Sequence, residues 1–557
     1  MMSPLEEARA HQVTAADPDL SVFVTANAGS GKTTTLVDRV ARLLLRRVEP
    51  GEILCVTYTK AAAAEMQARL FDKLGRWAVA DDRQLGEELA KLDGRDPATL
   101  SGADLSSARR LFARALETPG GLKIQTIHAF CEKLLKRFPL EAGVSPSFRV
   151  LENEAAIALS HEAREDLARA ALAAPDGPVG RAYAHFAVEL DWGSFHDLLG
   201  KIEAERGNLI AWVERVAAGT APGPHTLTGA DPDRTPDDIE SDFLDWIDGS
   251  EWERVADGMA TGSANDQKIA AAMDAVSPAS WSITAMAPIF LTSTGEARKS
   301  LGTKSAPPWA VAFLTGLQLK YLSVRDALRA ARVADDTVKA LTLARVHAAL
   351  YEAAKRRRGA LDFPDLVEKT VALLTRKANA AWVLFKLDGG IEHVLIDEAQ
   401  DTAPDQWRIF RALTEEFFSG DGTERRRDRP RPIPRTVFAV GDEKQSIYSF
   451  QGARPERLRE ERRDYANMVE ASGARFAGPD LTTSFRSTEE VLTFVDATFE
   501  SPERTRALVG DIGDRHPHLA ARAGQHGAVD LWPLFEDPVV EDRTAWNVPV
   551  DGEGAFS

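Results

Sequence analysis

The sequence predicts an α/β protein built on a parallel sheet and interrupted by a long helical block. Three observations carry that reading. Short β-branched apolar runs alternate with amphipathic helical stretches between residues 20 and 135. Runs of the same kind return at 393–396 and 437–440. Between them, residues 152–345 are Ala/Leu-rich, with helical periodicity and few strand signals.

LSVFVT (20–25), bounded by Asp17-Pro18 and a Gly-rich stretch, reads as a buried strand. From Lys32 the pattern turns helical, with Leu36, Val37, Val40, Leu43 and Leu44 on one face. ILCVT (53–57) is a second strand, followed by an Ala-rich helix through Leu74. GLKIQT (121–126) is a third, followed by a helix carrying Phe130, Leu134 and Leu135. Within the helical block, residues 219–257 begin Gly/Pro-rich and become acidic. Between Asp231 and Asp257 stand eleven carboxylates against two Arg, a pattern that fits a solvated loop plus an acidic helix face. Strand signals resume at HVLI (393–396), VFAV (437–440) and near Leu481. The expected division is 1–151 and 346–475 as two parts of one α/β domain, 152–345 as the insertion, and 476–557 as the start of another domain. Arg-rich segments fall at Lys355–Arg358, Arg425–Arg435 and Arg454–Arg463, and no repeat of fixed period is found.

Composition narrows the function classes. The 557 residues carry 68 Lys+Arg against 85 Asp+Glu, a net charge of −17, which argues against a general nucleic-acid coat. Two cysteines, Cys55 and Cys131, exclude a disulfide scaffold and suit a reducing cytoplasm. No apolar run reaches the ~20 residues that span a bilayer, and Met1 to Ala16 lack the apolar core of a signal peptide. A soluble, cytoplasmic, multidomain enzyme with no membrane partner is the expectation.

The chemistry concentrates in two places. LSVFVT runs into Ala26, Asn27, Ala28, Gly29, Ser30, Gly31, Lys32 and Thr33, and then a helix through Thr34. A phosphate chain needs converging backbone N–H groups, which a tight Gly-rich turn at a helix N-terminus supplies. Lys32 adds a cation for the β- and γ-phosphates of ATP, and the Thr33 hydroxyl can ligate Mg²⁺. Ala26 stands where the generic P-loop pattern wants Gly; the bland alternative is an ordinary βα turn. A P-loop also needs an acidic partner, expected on a neighbouring strand. HVLI is followed at once by Asp397 and Glu398, suited to hold the metal and to deprotonate the attacking water respectively.

Several further segments, in order, resemble the UvrD/Rep-type superfamily 1 DNA helicases, in their AddA/RecB branch. They are Gln12, ANAGSGKT (26–33), CVTYTKAAAAEM (55–66), IQTIHAFC (124–131), LDFPDL (361–366), VLIDEAQD (394–401), VGDEKQSIYSFQGA (440–453) and LTTSFRS (481–487). The family's P-loop usually carries Ala at the first position, which accounts for Ala26. The insertion length and the VGDEKQSIYSFQGA segment point to AddA. The resemblance implies RecA-like folding of the sheet and the start of a second RecA-like domain.

It also implies roles. Gln12 would contact adenine, Gln445 would sense the γ-phosphate, and Arg486 would act as an arginine finger. Tyr448 and Phe450 would stack on bases of the tracked strand; read unaided, two aromatics spaced by one residue suit core packing equally. Thr57, Thr59, Lys60, Thr126 and His128 would line a single-strand channel, although His128 alone reads as readily as a structural histidine. The implied activity is ATP- and Mg²⁺-dependent 3′→5′ translocation on single-stranded and duplex DNA, as the AddA-type subunit beside an AddB-type partner. The alternatives are a stand-alone UvrD-like helicase and a non-catalytic DNA-binding module. Gln451 stands where many relatives carry Arg, and Ser484 where Asn is common. The family's later helicase motifs and the AddA nuclease constellation are not found after Arg486, so the chain is expected to be the N-terminal part of a longer protein.

Overall fold

A computed structural model describes residues 4–118, 121–276, 281–376, 380–388, 390–419, 433–449, 452–509, 518–522 and 524–534. The eleven strands among them are β1 (Ser21–Ala26), β2 (Ile53–Thr57), β3 (Lys123–Thr126), β4 (Arg149–Val150), β5 (Ala360–Leu361), β6 (His393–Ile396), β7 (Thr436–Gly441), β8 (Phe476–Ala477), β9 (Asp480–Leu481), β10 (Thr483–Ser484) and β11 (Leu519–Ala520). The chain divides into two compact units, residues 1–148 with 363–557, and residues 149–362.

The first unit is the α/β one. Its parallel sheet runs in the order β3-β2-β6-β7-β1-β8, with β9 also paired to β1. Helices connect the parallel strands, and the near-continuous burial along β1, β2, β6 and β7 is that of strands covered on both faces. Two expectations are corrected here. The carboxylate-bearing strand β6 is not adjacent to β1, because β7 lies between them. Residues 476–481 do not begin a separate domain, since β8 pairs with Ser21–Val22 and β9 with Thr25–Ala26. Pro479, which has no N–H to give the ladder, separates these two short strands. After β9, β10 and β11 form a separate two-stranded sheet.

Helix Lys32–Leu45 buries the predicted face, Leu36, Val37, Val40, Leu43 and Leu44, against β1, β2 and helix Lys60–Val79 in one core. Arg39, fully buried on that helix, donates to the carbonyls of Ala15, Asp17 and Leu20 and to Thr436 Oγ1, tying helix Pro4–Ala15 to the sheet. Desolvation lowers its pKa to about 9.

The second unit is helical and extends past residue 345 to Asp362, because one helix runs unbroken from Pro308 to Arg357. A short parallel ladder, Arg149 with Ala360 and Val150 with Leu361, pairs the unit's two ends. In the acidic segment, Thr235 and Asp238 form a capping box and Asp248 caps helix Gly249–Ala260, while Phe243, Trp252, Val255 and Met259 fill the core. Acidic side chains at helix N-termini complement the macrodipole, so a structural role accounts for part of the excess charge. No helix among the described residues is long and apolar enough to cross a membrane.

Candidate functional site

The turn from β1 into helix Lys32–Leu45 requires two left-handed residues, Gly29 at φ 73° and Gly31 at φ 88°. The helix start then presents backbone N–H groups that have no partner within the helix. Space is equally restrictive. A Cβ on Gly29 would lie 2.6 Å from Arg486 Cβ and 2.7 Å from Ser484 Oγ, and one on Gly31 would lie 2.8 Å from Gln12 Nε2. Gln12 donates to the Ser30 carbonyl at 3.0 Å and, with His11, Asp480, Thr482 and Phe485, lines a cavity of about 60 Å³. Ala26 is buried at the end of β1, Ala28 and Thr34 are exposed, and Thr33 is half-buried. The Ser30 hydroxyl is buried without a hydrogen-bond partner among the described residues.

Asn27 fixes the turn from the other side. Its N–H donates to the Leu481 carbonyl at 2.9 Å and its Nδ2 to that of Thr482 at 3.2 Å, and its Oδ1 accepts from Lys444. The segment carrying Arg486 is thereby held on the P-loop, with the Phe485 N–H donating to the Gly29 carbonyl at 2.8 Å. Ser484, buried, accepts the N–H groups of Arg486 and Ser487 at 3.4 Å each, which gives the residue that replaces Asn a positioning role. The Arg486 side chain itself is exposed.

Opposite the turn, Lys32 Nζ lies 3.1 Å from Glu398 Oε2, bridging elements 366 residues apart. Glu398 adopts φ 49°, one of two non-glycine residues with positive φ among those described. Such a conformation costs on the order of 1–3 kcal/mol and persists where the surroundings impose it. Asp397 is 6% exposed. Burial, and then the neighbouring Glu398 charge, raise its carboxyl to about 6 against the pull of Lys32. Adjacent carboxylates, one resisting ionisation, together with a helix-start hydroxyl, fit a hard divalent cation bound with phosphate. The orphaned Ser30 hydroxyl and the left-handed glycine turn fit the phosphates of a nucleotide.

A second group lies on the loops after β2 and β7. Tyr58 and Tyr448 face each other with ring centroids 4.1 Å apart. Gln445 is exposed, its Nε2 donating to Asp442. Thr59 caps helix Lys60–Val79 by accepting the Ala62 N–H, and Thr57 donates to the Thr59 carbonyl at 3.0 Å. Lys60 is exposed. Thr126 caps helix Ile127–Arg137, and the His128 ring sits 4.9 Å from Phe363, with burial lowering its pKa. Phe450 and Gln451 lie outside the described residues. Sequence reasoning missed Gln400, Asp442 and Lys444, which tie these two groups together. The DEAQD and VGDEKQ segments contained them, but the motif gave them no task.

The profile of the UvrD/REP helicase N-terminal domain matches residues 6–210 and 282–466. An ATP-dependent helicase/nuclease subunit of Exiguobacterium sibiricum is 26% identical over 562 aligned positions, covering 94% of this chain and 42% of that protein. The subunit of the same name from Listeria monocytogenes is 26% identical, covering 86% of this chain and 37% of its own. That from Desulforudis audaxviator is 28% identical, with 86% and 38% covered. The chain thus spans about two-fifths of the length of the curated relatives it matches. With the helicase profile covering well over half of its length, the chain belongs to the UvrD/REP helicase N-terminal domain family.

Proposed function

We propose that this chain carries the ATP site and part of the DNA track of a 3′→5′ DNA helicase subunit of the AddA type, paired with an AddB-type subunit in double-strand-break repair. The observation that carries the reading is the Lys32–Glu398 pair, which sets a P-loop lysine against a carboxylate at the carboxyl edge of one parallel sheet. The relatives' names, with helicase, nuclease and subunit in each, support the wider assembly.

In this reading the P-loop N–H groups of 29–34 and Lys32 bind the phosphates, and Gln12 holds the adenine edge beside its cavity. Thr33 and Asp397 would hold Mg²⁺, which when bound neutralises phosphate charge. Once nucleotide draws Lys32 away, Glu398 is free to orient water and accept its proton. Gln445 senses the γ-phosphate, and Arg486 swings its exposed guanidinium onto it. Thr57, Thr59, Lys60, Thr126 and His128 line the strand path, with Tyr448 and Phe450 as stacking surfaces. A neutral His128 and capping threonines suit strand positioning without base readout.

The test is ATP hydrolysis by the complete protein with and without single-stranded DNA, read beside displacement of streptavidin from either DNA end. DNA-stimulated turnover with displacement from the 5′ end alone is the expected result. Turnover indifferent to DNA, or displacement from the 3′ end, would contradict it.

A further inference from the structure

The Arg-rich segment 454–463 opens helix Glu456–Ala471, which packs beside β8. Arg457 is paired with Glu460 and Glu461, and Arg459 with Glu443. Arg462 reaches the sheet instead. Its Nη2 donates to the Gly478 carbonyl at 2.7 Å, and its Nη1 donates to Thr25 Oγ1 at 2.9 Å. The same Nη1 lies 3.5 Å from Asp480 Oδ1. Thr25 and Asp480 are direct partners in the β1–β9 ladder. The approach is tight: a Cβ on Gly478 would lie 2.8 Å from Arg462 Nε and closer still to Nη2.

We infer that Arg462 is a positioning residue that fixes the register of β9 on β1, and with it the place of Arg486 at the P-loop. The need arises from the ladder itself. β8 and β9 each pair only two residues with β1, and Gly478-Pro479 interrupts them. Pairing so short specifies register weakly, because repeating backbone bonds can be remade one residue along. Such a slip moves the chain by about 3.3 Å and turns every side chain to the opposite face. Arg462 removes that freedom by holding the side chains of one particular residue pair and the carbonyl at the interruption. A planar fork of donors serves these separate acceptors at once, which a lysine ammonium on its single stem does not. Position at Asp480 is then carried onward. The Leu481 and Thr482 carbonyls meet Asn27, and the Phe485 N–H meets the Gly29 carbonyl, which leaves Arg486 beside the glycine turn. An arginine finger acts on charge that develops in the transition state. Displacing it should therefore cost turnover and leave ground-state nucleotide binding intact.

The inference rests on the reading of Arg486 as an arginine finger. It is tested by a double-mutant cycle in the complete protein. The readouts are ATP hydrolysis with single-stranded DNA present and the Kd of a fluorescent non-hydrolysable ATP analogue. Arg462→Met should lower kcat about tenfold or more, while KM and the analogue Kd stay within about twofold of wild type. Arg486→Ala should cost more than that. Adding Arg462→Met to Arg486→Ala should then change kcat by no more than about twofold, because both act through one guanidinium. Gly478→Ala, which pushes Arg462 aside without removing it, should reproduce the kcat loss and the same non-additivity, and it carries the cycle if Arg462→Met does not fold. Wild-type kcat in Arg462→Met or Gly478→Ala overturns the inference. So does a full multiplicative loss in the double variant, or a parallel weakening of analogue binding, either of which marks a general structural role. Wild-type kcat in Arg486→Ala refutes the finger reading instead, so that single variant separates the two failures.

Discussion

Two acids, the buried Asp397 in one unit and the half-buried Glu203 in the other, meet opposite electrostatic fates. Asp397 ends the β6 strand beside Glu398, and burial reinforced by that neighbour lifts its carboxyl to about 6. Glu203, in the helical unit, is also pushed upward by burial, yet hydrogen bonds from Arg164, His347 and Ser160 outweigh this and bring it to about 2. Arg164 Nη2 donates to Glu203 Oε2 at 2.8 Å, and its Nε donates to the other carboxylate oxygen. The difference separates two uses of charge. Glu203 is matched within the fold and ties helix Trp192–Ala204 to helix Asn153–Ala173. Asp397 is left undercompensated, which is the condition of a carboxylate whose partner arrives from outside.

The contrast can be broken most severely at Arg164. Arg164→Ala would leave the half-buried Glu203 with fewer donors; a fully buried pair losing one partner costs about 3 kcal/mol, and this partly solvated one less than that. Thermal melts at pH 7 should show a large fall, and Glu203→Gln in the same background should recover part of it. The sign is set by linkage. A lowered pKa gives stability present above the unfolded value of 4.5 and lost as pH falls toward about 2, so the difference between wild type and variant should shrink in acid.

Asp397→Asn should act in the other direction. The raised pKa gives stability that is complete below 3.8 and lost as pH rises through about 6. Removing the charge should therefore stabilise the nucleotide-free protein at pH 7.5 by at most about 3 kcal/mol, and hardly at all at pH 4. An Asn variant no more stable than wild type at pH 7.5 would show that the Asp397 charge is already compensated. The smallest effect is expected at Asp248, an exposed cap whose carboxylate accepts the Ser250 and Glu251 N–H groups. Asp248→Ala should lower the melting temperature slightly at pH 7, and by less as the pH falls below 3.8.

Much of this site was legible in the sequence because its signals are local. The glycines of the P-loop sit where φ must be positive, and the Asp397-Glu398 pair directly follows its strand. What stayed hidden depends on sheet order. The insertion of β7 between β1 and β6 places Asp442 beside Gln400, 42 residues away in sequence, and no periodicity encodes that neighbour. Tyr58 and Tyr448 meet for the same reason. Gln12 appeared only as a polar residue before a strand, because it lies on a helix with no strong apolar face to announce it. Thr59 and Thr126 were legible as strand-end hydroxyls, but not as the caps of the helices that follow, which their hydrogen bonds show each of them to be. The charge of −17 argued against nucleic acid, yet the acidic stretch 231–257, with a balance of −9, lies wholly within the helical unit and away in sequence from the motif-bearing segments.

The most direct test of the account is the equilibrium binding of a fluorescent ATP analogue, with Mg²⁺, to wild type and to Lys32→Ala. Saturable, Mg²⁺-dependent binding to wild type, weakened at least tenfold in Lys32→Ala (about 1.4 kcal/mol), is the predicted result. Equal affinity in the two proteins would contradict the assignment of the P-loop and its Glu398 partner as the nucleotide site.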